Sequence, residues 1–298
     1  MDVSIVIVSY NVREYIISCI QSIYKHSNSG VNFEIIVIDN DSKDNSVDEL
    51  NKTFPEINLI QNNYNAGYTV AANQGSKVCK GEYIFFLNPD TLFIEDSLGK
   101  LIGISDKQIN LGIVGPKLIT SDGFTQQSYW KKPSVPNTIL SLIHLDYFNF
   151  YKNYNNTNLN EIIEVDSLSG GALFLKKEIF EELGGFNEKL FWMEDIDFSI
   201  RLNSNGYFNF YYPLTEIIHF KGKSSESNYK VAISNQLLSK IKFFKIHHSQ
   251  LGYYMIFFSV LFVSLIKSIL MLPIAVISSK YREKMLAYIY TIKSALRS

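Results

Sequence analysis

The first ninety residues alternate between short apolar runs and longer stretches with helical periodicity. The apolar runs lie at 3–10, 33–40, 57–62 and 82–90, and a stripe of isoleucines marks a helix across 16–23. Nearly continuous apolar runs of this length are typical of strands that are buried on both faces of a sheet. The pattern therefore predicts the order β-α-β-α-β-α-β, an α/β sheet covered by helices.

The middle of the chain continues this pattern and then becomes more polar. A further strand is predicted at 111–119, and residues 165–186 combine a strand with a helix that stops at the pair Gly184–Gly185. The Tyr- and Asn-rich stretch 147–160 is typical of a loop or lid. An amphipathic helix follows at 190–202, and three carboxylates crowd its start.

Polar side chains follow three of the predicted strands at the point where each strand ends. Parallel strands joined by helices present ligands at their carboxyl ends, so these clusters are expected along one edge. An acid after the second strand can accept hydrogen bonds from a nucleotide, whereas the phosphate-binding glycine patterns of dinucleotide and P-loop proteins are absent after the first strand. The clusters are Ser9-Tyr10-Asn11, Asp39-Asn40-Asp41 and Asn88-Pro89-Asp90.

A divalent cation is a candidate ligand at this edge. Asn88 and Asp90 offer two oxygen ligands after an apolar strand, although Asn, Pro and Asp are equally favoured where a strand turns. His219 follows another apolar run, and Lys221 and Lys223 next to it could neutralise a diphosphate. A structural histidine and a solvated lysine turn are the alternatives.

The C-terminal residues have a different pattern. Residues 251–266 contain no charge, Lys267 follows, and a second apolar stretch contains Pro273. Sixteen helical residues cover roughly 24 Å, less than the roughly 30 Å hydrocarbon core of a bilayer. We expect a shallow or re-entrant helical hairpin, kinked near Pro273, in the inner leaflet. A core or dimer-interface helix pair and a single transmembrane helix are the alternatives.

Charge separates the two parts of the chain. The formal net charge of the 298 residues is -1, but residues 1–220 carry 16 Lys/Arg against 27 Asp/Glu, while residues 221–298 carry 12 against 2. Basic segments beside an apolar helix favour the cytoplasmic side and anionic lipid. Residues 1–12 lack the basic start of a secretory signal, so a cytoplasmic chain is expected.

Six segments together closely resemble the family 2 glycosyltransferases. The variant is similar to the bacterial rhamnosyltransferase-like branch, in which the metal motif is N-P-D rather than D-x-D. The resemblance covers residues 3 to about 224 and rests on SIVIVSYNV, IVIDNDSKDNS, NAGYTVAANQG, FFLNPDT, SGGALFLKKEIFEELGGFNEKLFWMEDIDFSIRL and HFKGKS.

The resemblance implies a fold and a division of the chain. The fold is GT-A, a Rossmann-like fold of nucleotide-diphospho-sugar transferases in which helices flank a mixed sheet. The expected domains are a GT-A domain at 1–222 and a basic, apolar, helical membrane-associating segment at 223–298.

The resemblance also assigns the nucleotide and metal contacts. Asp39 and Asn40 are expected at the nucleobase, and Asp90 with His219 at Mg²⁺ or Mn²⁺ on the diphosphate. Asn88 stands at the first position of the metal motif and ranks below Asp90. The other expected donor-binding residues are Ser9, Tyr10, Asn11, Asn65, Gly67, Asn73, Lys221 and Lys223.

The three carboxylates of the 190–202 helix receive separate roles. By resemblance, Asp195 is the catalytic base that deprotonates the acceptor, Glu194 orients an acceptor hydroxyl, and Trp192 stacks on an acceptor sugar ring. Asp197 is expected to serve the helix start, where acids favour the positive end of the helix dipole. The alternative is that all three acids are N-terminal helix charges.

The expected activity is an inverting, metal-dependent sugar transfer. The donor suggested by resemblance is dTDP-rhamnose, with a UDP-hexose, a UDP-N-acetylhexosamine or a non-catalytic nucleotide-sugar-binding scaffold as alternatives. The expected acceptor is a glycan or a polyprenyl-diphosphate-linked glycan of cell-envelope polysaccharide synthesis. The expected location is the cytoplasmic face of the cell membrane, with no nucleic-acid partner.

Overall fold

A computed structural model describes residues 1–145, 161–220 and 229–297 of the chain. The predicted loop at 147–160 lies outside these residues, as do Lys221 and Lys223. The described residues cluster into two compact units. The first takes in described residues of 1–131, 156–188 and 194–224, and the second takes in those of 132–155, 189–193 and 225–298.

The first unit begins with the predicted alternation of strands and helices. Each predicted strand is present within one to three residues of its expected ends, because an almost unbroken apolar run can be buried only between two layers of helices. The elements are β1 (Val3–Ser9), α1 (Arg13–His26), β2 (Phe33–Asp39), α2 (Ser46–Thr53), β3 (Asn58–Gln61), α3 (Tyr68–Ser76) and β4 (Tyr83–Leu87).

The remaining elements of the first unit complete its sheet. Two short strands pair separately from it, β7 with β9. The elements are β5 (Thr91–Phe93), α4 (Ser97–Ser105), β6 (Leu111–Ile119), β7 (Tyr129–Trp130), β8 (Ile163–Val165), β9 (Ser167–Leu168), β10 (Ala172–Lys176), α6 (Lys177–Glu182), α7 (Glu194–Ser204) and β11 (Phe208–His219).

The sheet is mixed, as predicted. Its order is β3-β2-β1-β4-β10-β6-β11-β5, with β8 paired to β11. Strands β1 to β4 run parallel. Strand β10 lies antiparallel between β4 and β6, and β5 lies antiparallel to β11. Because β10 runs the opposite way, its amino end meets the carboxyl end of β4, and the glycines that precede β10 lie at the edge where the polar clusters are.

Helix α3 packs unusually close to the sheet. A Cβ atom on Gly75 would lie 2.5 Å from Cδ1 of Ile38 and 2.7 Å from Cγ1 of Val6. The helix backbone lies directly on β1 and β2, which accounts for a small residue at this position. The apolar core below it is fully buried.

The second unit is helical over its described residues. Its helices are α5 (Val135–Leu142), α8 (Tyr229–His247), α9 (Gln250–Ala275) and α10 (Ser279–Ala295). The apolar helix is longer than the 16 uncharged residues from which its length was predicted. Helix α9 runs for 26 residues, about 39 Å, through both Lys267 and Pro273. The chain turns only after Ala275. Of the described helices, α9 alone is long and apolar enough to cross a membrane.

Lys267 does not interrupt α9 because its ammonium group bonds to other residues of the second unit. Its Nζ donates to the carbonyl of Leu142 at 3.0 Å and lies 3.1 Å from Nε2 of His144. The ammonium also lies over the ring of Tyr288, 5.6 Å from the centroid. These contacts satisfy a charge that the sequence suggested would end the apolar helix.

Gly81 provides a test of packing in the first unit. A Cβ atom at this position would lie 2.5 Å from the Ser4 nitrogen and 2.6 Å from the Val3 carbonyl carbon, both main-chain atoms of a buried strand. We expect Gly81→Ala to lower the free energy of unfolding by about 2 kcal/mol, measured by urea denaturation.

Gly103 is the matched control, since it lies in α4 and a Cβ atom there meets no atom within 4 Å. Gly103→Ala should raise the free energy of unfolding by about 0.5–1 kcal/mol through helix propensity. Equal effects of the two substitutions would contradict the close approach at Gly81.

Candidate active site

Strand register brings the three polar clusters to one edge of the sheet, as predicted. Ser9 pairs with Asp39, and Asp39 pairs with Gln61 on the next strand. On the other side of β1, Ile7 pairs with Leu87, the residue before Asn88. The carboxyl ends of β1, β2 and β4 are therefore level with one another.

Asp39 has one carboxylate oxygen in use and one that is not. Its Oδ1 accepts a hydrogen bond from the Ser42 main-chain nitrogen at 2.8 Å. Its Oδ2 and the Oγ of Ser9 are buried and have no hydrogen-bond partner among the described residues. Tyr10, half-buried, follows directly. A buried carboxylate oxygen without a donor is costly, so this position is suited to a ligand N–H or O–H.

Asn40 holds the loop that precedes α3. Its Nδ2 donates to the Gly67 carbonyl at 3.3 Å, and its Oδ1 accepts from Nδ2 of Asn62 at 2.9 Å. Gly67 has φ of 83°, a left-handed conformation that favours glycine, and its nitrogen donates to Oδ1 of Asn65 at 3.0 Å. The Asn40 amide is thus bonded to the protein at both ends.

Two other expected donor-binding asparagines are similarly occupied. Asn11 accepts from the Lys43 nitrogen at 2.7 Å through Oδ1, and its own main-chain nitrogen donates to Ser42. Asn73 binds both main-chain groups of Phe186, donating to the carbonyl at 2.9 Å and accepting from the nitrogen at 2.9 Å. Both side chains therefore fix loops at the edge of the sheet.

Asp90 and His219 meet at the end of β4. Their main chains are adjacent, since His219 pairs with Thr91 and the Phe220 nitrogen donates to the Asp90 carbonyl at 2.9 Å. Both side chains are buried, and Oδ1 of Asp90 lies 3.4 Å from Nε2 of His219. Nδ2 of Asn88 lies 3.4 Å from the same nitrogen.

These residues fit a divalent cation that is shared with a ligand. Two ligands that are each about 2.1 Å from an octahedral cation lie about 3.0 Å apart, close to the observed Asp90–His219 separation. Within the described residues, no group of three or more His, Cys, Asp and Glu side chains could hold a metal ion. The two protein ligands would therefore leave most positions of the cation to diphosphate oxygens and water, as Mg²⁺ and Mn²⁺ sites on nucleotides do.

The glycines before β10 connect this cluster to the carboxylates of α7. The Asn88 nitrogen donates to the Gly171 carbonyl at 3.0 Å. The Gly170 nitrogen donates to Oδ2 of Asp195 at 2.7 Å. A Cβ atom on Gly171 would lie 3.4 Å from Cε1 of His219. Two adjacent glycines thus hydrogen-bond to Asn88 and Asp195, and Gly171 lies beside the His219 ring.

Asp195 and Glu194 form an electrostatically coupled pair at the start of α7. Burial, followed by repulsion from Asp195, raises the pKa of Glu194 well above its ordinary value. Burial also raises the pKa of Asp195, but hydrogen bonds from the nitrogens of Gly170 and Ile196 oppose that rise. Oε2 of Glu194 has no hydrogen-bond partner among the described residues. The main-chain donors therefore favour a proton on Glu194 over one on Asp195.

Asp197 forms an ion pair on its own helix, a contact that the sequence did not predict. It is fully buried, and its Oδ2 accepts from Nε of Arg201 at 2.9 Å. The same guanidinium donates to the carbonyls of Leu183 and Gly185, each at 2.7 Å. Asp197 thereby anchors α7 to the loop that follows α6.

Trp192 belongs to the second unit, and 39% of its surface is exposed. Its main-chain nitrogen donates to Oγ of Ser239 at 3.1 Å. The exposed indole is free to stack on a ligand, which is the role that the resemblance implies for it.

A family profile decides the classification. The profile described as "Glycosyl transferase family 2" matches residues 4–184. The chain belongs to glycosyl transferase family 2. The resemblance inferred from the sequence motifs is confirmed.

Relatives agree with this family. The chain is 26% identical to an uncharacterized glycosyltransferase of Haemophilus influenzae over 67% of its own length and 61% of the relative's. It is 25% identical to the N-acetylglucosaminyl-diphospho-decaprenol L-rhamnosyltransferase of Mycobacterium tuberculosis, over 64% of its own length and 67% of the relative's. The matched part thus spans about three fifths to two thirds of these relatives.

A solved structure agrees in fold. Mannosyltransferase PcManGT from Pyrobaculum calidifontis, in complex with GDP-Man and Mn²⁺, matches with a TM-score of 0.56 and 16% identity. The match covers 98% of this chain and 86% of that one. The fold of this family 2 member is therefore GT-A, as expected.

Three site features were missed from the sequence. Gly170 was inside a quoted motif but received no role, and its proximity to Asp195 requires the fold. The hydroxyl of Tyr68 is buried without a hydrogen-bond partner among the described residues, and repulsion from Glu194 and Asp195 adds to the burial that raises its pKa. Gln126, which bonds His219, follows a turn that carries no catalytic motif.

Glu194 should reduce the stability of the protein at neutral pH. Its pKa is raised in the folded state, so folding favours the protonated form, and stability is lost as pH rises from the unfolded pKa of about 4.3 toward the folded one. We expect Glu194→Gln to raise the free energy of unfolding at pH 8 by at least about 1.4 kcal/mol, the equivalent of one pKa unit.

The gain should shrink as the pH is lowered to 5, measured by urea denaturation at each pH. Glu178→Gln is the control, because Glu178 is exposed on α6 and its substitution should show no such pH dependence. A Glu194→Gln gain that is equal at both pH values would contradict the raised pKa.

Proposed function

We propose that this protein is an inverting glycosyltransferase that moves a sugar from a nucleoside-diphosphate donor to a hydroxyl of a glycan acceptor. The observation that supports it best is the position of two adjacent glycines. The Gly170 nitrogen donates to Asp195, a carboxylate suited to be a base, and the Gly171 carbonyl accepts from the nitrogen of Asn88, two residues before Asp90. Base and leaving-group stabiliser are the two groups that a single displacement requires.

The donor half of the site uses the carboxyl ends of β1, β2 and β4. Oδ2 of Asp39 accepts a hydrogen bond from the nucleoside, and the Ser9 hydroxyl donates one to it or accepts one from it. Asp90 and His219 bind Mg²⁺ or Mn²⁺, which when bound neutralises the charge of the departing diphosphate. Lys221 and Lys223, two and four residues after His219 in the sequence, add positive charge for the same leaving group.

The acceptor half uses the start of α7. Asp195 is ionised and removes the acceptor hydroxyl proton as that oxygen attacks the anomeric carbon from the face opposite the diphosphate. Glu194, protonated, donates a hydrogen bond to an acceptor oxygen. The Gly170 N–H favours the ionised form of Asp195 and fixes the position of its Oδ2.

The name of one relative suggests the donor and the acceptor. The Mycobacterium tuberculosis relative transfers L-rhamnose to an N-acetylglucosaminyl-diphospho-decaprenol. We infer that the acceptor here is a polyprenyl-diphosphate-linked glycan of envelope polysaccharide synthesis and that dTDP-rhamnose is the first donor to test. UDP-hexoses and UDP-N-acetylhexosamines are the alternative donors.

We also propose that α9 of the second unit lies against an anionic bilayer at the cytoplasmic face. One stripe of this helix is apolar and exposed at helical spacing, opposite a stripe that is buried inside the unit. The exposed stripe comprises Leu251, Tyr254, Phe258, Phe262, Leu265 and Ile269.

Charge favours a lipid headgroup layer over a second protein copy as the partner of this stripe. After α9, Val276 and Ile277 are 73% and 85% exposed, and exposed Lys280 and Arg282 follow them directly. Apolar side chains next to basic ones are typical of segments that insert at the boundary between acyl chains and anionic headgroups. Residues 221–298 carry 12 Lys/Arg and 2 Asp/Glu, which would repel in a dimer.

Asp195→Asn tests the proposed base. Because the amide cannot accept the acceptor proton, we expect kcat for sugar transfer to fall by about 10³-fold while the affinity for the nucleotide sugar changes little. Transfer is measured with radiolabelled donor, after thermal-shift screening of nucleotide sugars with Mn²⁺ has identified the donor.

Asp122→Asn is the control, since Asp122 is an exposed carboxylate at a turn of the first unit. Wild-type transfer by Asp195→Asn would contradict the assignment of the base. Binding of a nucleotide sugar by wild-type protein without transfer to any acceptor tested would favour the non-catalytic scaffold.

The membrane proposal is tested by flotation with vesicles that contain phosphatidylglycerol. We expect the full-length double variant Phe258→Glu/Phe262→Glu to lose most vesicle binding, because each charge must enter the headgroup boundary. Phe124→Glu is the matched control, since Phe124 is 72% exposed in the first unit. Unchanged flotation of the double variant, or its conversion from dimer to monomer, would overturn the proposal.

A further inference from the structure

We propose that Gln126 is a positioning residue that fixes the tautomer of His219, so that Nε2 presents a lone pair to the cation. The inference rests on the proposed function, because it concerns the same metal site. It adds a residue outside the motifs that identify the family, and it explains why a histidine can serve at this position.

Gln126 contacts both the ring and the main chain of His219. Its Oε1 lies 3.1 Å from Nδ1 of the ring. Its Nε2 donates to the His219 carbonyl and, at 3.3 Å, to the carbonyl of Ile119. The Gln126 main chain is itself held, since its nitrogen donates to the Leu118 carbonyl at 2.8 Å.

The two carbonyls decide the orientation of the amide. A carbonyl oxygen can only accept, so the side facing Ile119 and His219 must be the NH₂ group of Gln126. The opposite orientation would place Oε1 against two carbonyl oxygens with no hydrogen between them, and the NH₂ group would face the ring. The amide oxygen therefore faces the ring.

The amide orientation in turn decides the proton on the ring. An amide oxygen only accepts, so Nδ1 of His219 must carry the hydrogen. A neutral imidazole has one N–H, and Nε2 is left with a lone pair. On the Nε2 side of the ring, Nδ2 of Asn88 lies 3.4 Å away and can donate a hydrogen bond to this lone pair.

The ring has neighbours on its other side. Its Cε1 would lie 3.4 Å from a Cβ atom on Gly171, an ordinary van der Waals distance. Nε2 is directed at Oδ1 of Asp90, 3.4 Å away. Outer partners of this kind orient a metal-binding histidine, and their loss typically weakens metal affinity by about 10–100-fold.

The test compares the wild type with Gln126→Leu, Gln126→Glu and a matched control, Gln127→Leu. Gln127 is the exposed neighbour, whose amide donates to the Tyr129 carbonyl at 2.7 Å, away from His219. Two readouts are used without any transfer reaction. The first is ¹⁵N NMR of imidazole-labelled, metal-free protein, assigned with His219→Gln. The second is Mn²⁺ affinity with UDP present, from the electron paramagnetic resonance signal of free Mn²⁺.

We expect the wild type and Gln127→Leu to show His219 with hydrogen on Nδ1 and the same Mn²⁺ affinity. Gln126→Leu should lose the single tautomer and weaken Mn²⁺ binding by about 10-fold or more. Gln126→Glu should keep the Nδ1–H signature, since it still offers an acceptor, although it lowers stability by facing two carbonyls. That pattern separates tautomer control from a merely structural role, and it remains readable if the leucine variant fails to fold.

Two outcomes would overturn the inference: hydrogen on Nε2 in the wild type, or a Gln126→Leu protein that keeps both the Nδ1–H signature and wild-type Mn²⁺ affinity. Failure of the proposed function is distinguishable from these. A wild type that shows the Nδ1–H tautomer but binds no Mn²⁺ with UDP would remove the metal role and with it the reason for the proposal.

Discussion

The main-chain hydrogen bonds of two adjacent glycines, Gly170 and Gly171, are the constraint on which the site depends. One donates to the Asp195 carboxylate at 2.7 Å, and the other accepts from the Asn88 nitrogen at 3.0 Å. A Cβ atom on Gly171 would lie 3.1 Å from Cδ1 of Leu118, so a larger residue would require the Leu118 side chain to shift by a few tenths of an ångström. Because β10 runs antiparallel to β4, this segment reaches the edge where the parallel strands end, and the start of α7 is held there with it.

The same burial that orders the site makes it electrostatically costly. Glu194 and Asp195 share a poorly solvated position. The nitrogens of Gly170 and Ile196 favour the ionised form of Asp195, whereas Oε2 of Glu194 has no hydrogen-bond partner among the described residues. Neighbouring acids whose environments push their pKa values apart can act as a base and a hydrogen-bond donor at one pH. Asp197 is the fourth residue of α7, and its buried charge is neutralised by an ion pair with Arg201.

The second unit applies a different solution to charge in an apolar setting. Lys267 lies in the middle of α9, yet its ammonium is bonded by Leu142 and His144 and covered by the Tyr288 ring. The helix thus keeps an exposed apolar stripe along most of its length. Basic residues are concentrated around it rather than on it, which matches the charge asymmetry of the chain.

The sequence by itself determined the succession of strands and helices along the first ninety residues, the polar strand ends and the carboxylates at the start of α7, because the spacing of apolar residues is a local property. It could not predict the hydrogen-bond partners of the Asn40 and Asn73 side-chain amides, since those partners lie in loops far along the chain. It also could not predict that α9 continues past Lys267. Only the tertiary structure decided which buried oxygens remain for a ligand and which nitrogen of His219 carries hydrogen, because both depend on partners brought together by the fold.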